Sequence, residues 1–516
     1  MKKIRIIAVL ALFLGLSYAC SEDELIVKNE NAFSDETYFA SASQFNEAVV
    51  GTYSVLLHQG MYARDWYFIF DLLGNDAEKA PPLLGDLEQL HDYSHSAPNP
   101  VIKDLWQALY RIIFRANLVI DRASDWTPSK EEEALKNQYL GEAYFLKGLG
   151  EMYLVSLWGR VPLKPDYETS INDLNPPRAS EIEVWAATEA DLQQAINLLP
   201  ESYDDSNLGR VTRNAAIALL GKVLLYQEKW AEAEAEFNKI LGSYDLNPDF
   251  DNQFSVDNTG SSESVFQVIH ATWEGWGVGN AFYMFGGQES WGGRATHTGR
   301  AMEYGFNDWQ NVYISDAAVD AFTYADESGA NYTDPRAAMT FYGEKGGDMQ
   351  FCDRCDAGVL DYPFEEKLYR WRKYQTYEFE AQHELPQSHI NSQVIRFADV
   401  LLMLAEAQVE QGKTDAALEH INRVRSRAGA FEYSTLGDQG RARELVRRER
   451  QLELAGEQVR WFDLNRWGIA KETLNAEKQN QIGSQPFQDK HVLLPIPQVE
   501  RDANPNVGND VADNWN

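Results

Sequence analysis

Two stretches far apart in this 516-residue chain repeat one spacing of small residues. In 215–241, Gly221 and Ala233 lie twelve apart and Phe237 follows four later; in 394–427, Ala405 and Ala417 lie twelve apart and Ile421 follows four later. Small side chains at both points let two helices cross closely, and the bulky residue fills the groove between them. This is the spacing of a tetratricopeptide-type helix pair. Glu228-Lys229-Trp230 and Gln411-Gly412-Lys413 stand at the expected turns. The copies are not adjacent, so an uninterrupted solenoid is excluded. The expected fold is mostly α, a scaffold of helix pairs with a long irregular insertion.

Other segments extend the scaffold. Phe45, Val49, Tyr53 and Leu56 recur at three and four residues, as do Trp106, Leu109, Tyr110, Ile113, Asn117 and Ile120. A loop rich in Pro, Gly, His and Asp, 77–100, separates these stripes. A long helix is expected over 130–158, capped by Ser129 with Glu131, Glu132 and Glu133 in its first turn, and ended by Gly159 and Pro162. Another is expected over 180–199, stopped by Pro200, and a last one after Arg441 to about Trp467.

The chain opens with Lys2, Lys3 and Arg5, then an apolar run over 6–16, then Ser17-Tyr18-Ala19-Cys20. That is the layout of a secretory signal ending in a lipid-attachment cysteine. The run is about eleven residues, short of the roughly twenty that cross a bilayer. A body tethered by lipid on Cys20 is expected, with an ordinary cleaved signal as the alternative. The formal charge of −33, from 79 acidic and 46 basic residues, opposes phosphate backbones and anionic lipid. Nucleic acid is therefore excluded as a partner, and the membrane link is expected through lipid alone. Of three cysteines, Cys352 and Cys355 remain. A local disulfide is the expectation for an exported chain. A half zinc site completed by His383 and His389 matches no common ligand spacing, and free thiols are the third reading.

The insertion over about 245–392 is rich in Gly, Asn, Tyr, Trp and Phe, and 264–268 alternates like a short strand. Indole and phenol rings offer flat apolar area with a polar handle, which suits the C–H face of a pyranose. Trp273, Trp276, Tyr283, Trp291 and Trp309 are the candidate ligand contacts, with His91 and Tyr93 from the early loop as a further wall. The chain has 14 Trp, 25 Tyr and 24 Phe, so most rings must be core, and Trp66 is assigned there.

Several runs together resemble the SusD/RagB family of outer-membrane nutrient-binding lipoproteins. They are Ala48-Val-Val-Gly-Thr-Tyr53, Trp106-Gln-Ala-Leu-Tyr110 with Asn117, Gly141-Glu-Ala-Tyr-Phe-Leu-Lys147, Leu157-Trp-Gly-Arg-Val-Pro162 and Gly209-Arg-Val-Thr-Arg-Asn-Ala-Ala216. The most specific are Ile395-Arg-Phe-Ala-Asp-Val-Leu-Leu-Met-Leu-Ala-Glu-Ala407, Ile421-Asn-Arg-Val-Arg-Ser-Arg-Ala428, Glu449-Arg-Gln-Leu-Glu453 and Arg460-Trp-Phe-Asp-Leu-Asn-Arg-Trp467. Their order spans 420 residues, from Ala48 to Trp467. The resemblance implies a SusD-like fold without catalysis or cofactor. It implies capture of a glycan, in some relatives a peptide, for a SusC-like TonB-dependent porin, and a place on the outer leaflet facing outward. The expected organisation is a signal peptide over 1–19 and a single SusD-like domain over 20–516. Within it the scaffold covers about 35–244 and 393–470, the insertion about 245–392 and a tail 471–516.

Arg396, Glu406, Arg425, Arg427, Glu449, Arg450, Glu453, Arg460 and Asp463 suggest an active site, but their helical spacing fits charges paired between packed helices. A glycoside hydrolase with two carboxylates is the rival class, and a protein-interaction scaffold the second. No phosphate loop, nucleophile elbow or HExxH supports catalysis. Acidic loops leave room for a calcium ion.

Overall fold

A computed structural model describes residues 38–80, 83–167, 175–270, 297–305, 309–343, 350–351, 360–361, 369–375, 388, 390–478, 483–507 and 515. Helices α1 (Ala42–Tyr53), α2 (Asp65–Leu73) and α3 (Gly85–His91) precede the long pair α4 (Pro100–Asp125) and α5 (Glu133–Trp158). Then come α6 (Glu181–Leu198), α7 (Arg213–Tyr226) and α8 (Trp230–Asn238). Short helices α9 (Arg300–Tyr304), α10 (Asp316–Ala321) and α11 (Ala337–Thr340) lie in the insertion. The scaffold resumes with α12 (Phe397–Glu410), α13 (Thr414–Arg427), α14 (Gln439–Glu453), α15 (Arg460–Arg466) and α16 (Ala470–Glu477), and α17 (Gln498–Ala503) closes the described chain.

From α4 to α8 and from α12 to α14 each helix packs on the next, with α8 against α12 joining the two halves across the insertion. The spacing argument holds at atomic detail. A Cβ on Gly221 would stand 2.5 Å from Phe237 Cε1, so only glycine admits that ring. Ala405, Ala417 and Ile421 are fully buried at the equivalent crossing.

Helix ends follow local chemistry in part. Ser180 accepts from the Glu183 N–H and Glu183 reaches back to the Ser180 N–H, a reciprocal cap. Ser129 does not cap α5, whose N-cap is Glu132; the Glu132 side chain instead accepts from the Ser129 N–H. The expected last helix is broken. Gly456, at φ +69°, carries a turn between α14 and α15, and any Cβ there would press on Trp371.

Strands among the described residues form two-stranded antiparallel ladders. β1 (Ala77–Lys79) pairs with β3 (Val312–Ile314), and β2 (Ser264–Val268) with β10 (Ser392–Arg396). β4 (Thr323–Ala325) pairs with β5 (Asn331–Thr333), β6 (Phe341–Tyr342) with β9 (Arg370–Trp371), and β7 (Gln350–Phe351) with β8 (Leu360–Asp361). The β1–β3 ladder sews the early loop to the insertion. The β2–β10 ladder brings the two ends of the insertion together beneath α7 and α12. No described helix is long and apolar enough to cross a membrane.

Candidate ligand-binding face

The β1–β3 ladder sets the position of the one exposed tryptophan among the described residues. The Ala80 N–H donates to Asn311 O at 3.0 Å, and the Asn311 N–H to Glu303 O at 2.9 Å. Trp309, two residues before Asn311, is thereby held at the ladder's end with its N–H on Met302 O, and is 41% exposed. Leu84, four residues after Ala80, is 59% exposed. The Arg370 guanidinium lies 4.1 Å from the centroid of the half-buried Tyr313 ring on β3 itself. Arg370 itself is buried beside Tyr342 and Trp371 on the β6–β9 ladder. The result is a small backbone platform, the β1–β3 ladder, with one indole exposed at its end.

Other expected contacts fare differently. Trp273, Trp276, Tyr283 and Trp291 lie outside the described residues, as do Cys20, Cys352, Cys355, His383 and His389. His91 and Tyr93 do not form a wall. His91 is buried, with Nδ1 2.7 Å from Asp92 Oδ1. Burial, then the nearby Lys478 ammonium, lower its pKa to about 4. Tyr93 is 3% exposed and donates to Leu73 O at 3.1 Å. Phe487 meets its ring edge-on, His491 stacks on it at 5.7 Å, and Lys478 Nζ sits 4.3 Å from its centroid. Those ring faces are spent on docking the C-terminal tail, so no sugar can stack there. The apolar member that this loop does present is Leu84, which an aromatic-only reading missed. Trp66 is core, packed among Tyr62, Phe70 and Tyr153.

The charged residues of α12–α15 form a sealed lattice. Glu453, fully buried, accepts from Arg336 at 3.0 Å, from Arg396 at 2.7 Å and from Arg427. Burial alone would raise its carboxyl, but the three guanidiniums overcome this and hold it well below the usual range. Asp399 lies between Lys222 at 3.3 Å and Arg450 at 2.8 Å; against burial, they hold its pKa at about 2. Arg425 pairs with Glu449, Arg466 with Glu406 and Asp463, and Arg460 with Glu477. Each charge named as a possible catalyst already has a partner inside the fold. Carboxyls with raised pKa also exist, notably Asp65, pushed to about 8 by burial. It is 1% exposed, out of reach of a substrate.

Comparison with known proteins agrees with this architecture. The family described as "SusD family" matches residues 282–512, and one described as "Starch-binding associating with outer membrane" matches residues 76–225. "SusD-like protein P25" of Formosa agariphila is 26% identical over 96% of each chain. A SusD superfamily protein from Bacteroides vulgatus is 25% identical, with a TM-score of 0.75 over 91% of this chain and 99% of that one. A structure described as "Laminarin binding SusD-like protein" is 23% identical, with a TM-score of 0.72 over 90% and 97%.

Proposed function

Because this chain belongs to the SusD/RagB family, we propose that it captures oligosaccharides at the cell surface and passes them to a TonB-dependent porin. It is held at the outer membrane by lipid on Cys20 and binds without cleaving. The observation that carries the reading is the exposed Trp309 indole on the rigid β1–β3 ladder. A flat ring held out on a fixed backbone is what a pyranose face needs, at little ordering cost. The laminarin-binding description of one structural neighbour supports the class of cargo. The family description that names association with the outer membrane supports the location. Against hydrolysis stands the lattice, which leaves its carboxylates no free role.

Trp273, Trp276, Tyr283 and Trp291 are proposed as further ring contacts of the same face. Within the domain, the insertion over about 245–392 is then the cargo side and the helix pairs are its support. Affinity-gel retardation against a panel of neutral polysaccharides tests this. Trp309→Ala is expected to weaken retention by about 1 kcal/mol, roughly fivefold, with the fold intact. Alanine at Trp276 or Trp291 is expected to act in the same direction. Unchanged retention in all three variants would reject the face. Release of sugar under the same conditions would move the protein to the hydrolases, and retention of peptides alone would make peptide the cargo.

A further inference from the structure

A groove of about 330 Å³ runs between the loop ahead of α7 and strand β2. It is separate from Trp309 and shares no residue with that platform. Its size is within the range of small-ligand sites, about 300–1,000 Å³. The loop ahead of α7 contributes Tyr203 and Asn207, and the chain after α8 contributes Tyr244. The floor is a fixed hydroxyl and amide network. Ser264 Oγ lies 3.1 Å from Ser261 Oγ, and its one hydrogen has Gln267 Oε1 at 3.3 Å and Gln393 Oε1 at 3.2 Å as alternative acceptors. Gln393 Nε2 in turn donates to Gln267 Oε1 at 3.2 Å.

The walls are drawn close by two glycines in left-handed conformation. A Cβ on Gly209, φ +93°, would meet Ile269 at 2.7 Å, and one on Gly260, φ +70°, would meet Leu208 at 2.9 Å. Charge is one-sided. Glu201, Asp204 and Asp205 line the groove, and of these Glu201 pairs with Arg213 at 2.9 Å. Hydrogen bonds from Ser206 and Asn207 hold the Asp204 carboxyl below its usual pKa, so it stays ionised. The basic side chain in the lining, Arg210, is taken up by Glu142 through contacts of 3.1 and 3.0 Å.

We propose that this groove is a second saccharide site, selective for uncharged sugars. The inference rests on the glycan-binding reading above. Phenol rings supply area for C–H faces, and hydroxyls and amides can both donate to and accept from sugar hydroxyls. Among the described lining residues no unpaired cation is offered to a carboxylate or sulfate, and Asp204 and Asp205 repel one. The apolar members of the lining, Leu208, Val265 and Phe266, are outnumbered by hydroxyls, amides and carboxylates, which suit a sugar better than a peptide's apolar anchor.

Hydrogen exchange by mass spectrometry on the full chain tests the proposal, since it reads both sites at once. The probes are maltohexaose, laminarihexaose and xylohexaose, with hexagalacturonate as the anionic control and octalysine as the peptide control. At least one neutral hexaose is expected to protect 201–214 and 260–267 in wild type and in Trp309→Ala alike. Ser262→Trp and Ser202→Trp, which add bulk at exposed rim positions, are expected to weaken that protection tenfold or more while leaving 309–314 unchanged. Hexagalacturonate is expected to bind the groove at least tenfold more weakly. Protection confined to 309–314 overturns the groove and leaves the Trp309 reading standing. Groove protection by octalysine alone, or by hexagalacturonate as strongly as by neutral hexaoses, also overturns it. No protection anywhere by any hexaose removes both.

Discussion

Glu453 illustrates how a carboxylate can be buried without catalytic purpose. It has no exposed surface, and Arg336, Arg396 and Arg427 converge on its two oxygens from the insertion, β10 and α13. Removing the negative charge leaves three guanidiniums buried together with too few anions. Glu453→Gln keeps the size and hydrogen-bonding shape, so its cost is electrostatic. The expected loss is about 3–5 kcal/mol, the range for breaking one side of a buried ion pair. Urea denaturation measures it. Lys471→Ala serves as the contrast: Lys471 and Asp489 pair in solvent, at 55% and 82% side-chain exposure, and a change under about 1 kcal/mol is expected. Equal losses in the two variants would show that the lattice does not stabilise the fold.

At the scale of elements, the helix pairs were legible because their geometry leaves a mark in sequence. Two helices that cross closely require small residues at the crossing, wherever the rest of the chain goes. Gly221 is the clearest case, and it yields an expected sign. Gly→Ala within a helix gains about 1 kcal/mol from propensity, but here the new methyl would stand 2.5 Å from the Phe237 ring. Overpacking of this kind costs about 1–3 kcal/mol, so Gly221→Ala is expected to destabilise. Gly51, in α1 with no atom within 4 Å of its would-be Cβ, should be stabilised by the same change by about 0.5–1 kcal/mol. Thermal melts of the two variants should move in opposite directions. What the sequence hid depends on distant partners. The break at Gly456 is matched to Trp371, and Tyr93 is turned inward by Phe487 and His491, residues far along the chain. Aromatic content therefore could not say which rings face out. Trp309 does so because a three-residue ladder, too short to leave an alternating pattern, holds it there.

On the scale of the whole molecule, the C-terminal tail ties the early loop to α5, and its fastening is sensitive to acid. The Leu494 N–H donates to Leu157 O at 2.7 Å, Trp158 Nε1 to Pro495 O at 2.9 Å and the Gln485 N–H to Asp92 O at 2.9 Å. Three buried histidines lie in this seam. Burial lowers His91 to about 4, His95 to about 3 and His491 to about 4. The charged groups that face them are Asp92, Lys79 and Lys478 around His91, Lys490 around His491, and both His491 and Lys490 around His95. Of these charged groups only Asp92 favours a protonated ring, and at His95 a backbone hydrogen bond with Gln89 acts in the same direction. A histidine whose folded pKa lies below the unfolded value near 6.5 contributes stability that is complete above that value. It is lost as the pH falls toward the folded pKa, because the unfolded chain binds the proton first. Opening of the tail is therefore favoured between about pH 6.5 and pH 4, ahead of the Glu453 lattice, whose carboxylate stays ionised through that window. Amide exchange in 485–498, corrected for intrinsic rates, is expected to rise roughly tenfold or more per unit of pH once opening is linked to a proton. Exchange in α12 and α14 should stay slow. His491→Phe, which keeps a flat ring against Tyr93 and removes a titrating nitrogen, is expected to flatten that dependence; equal acid sensitivity in the variant would place the seam's weakness elsewhere.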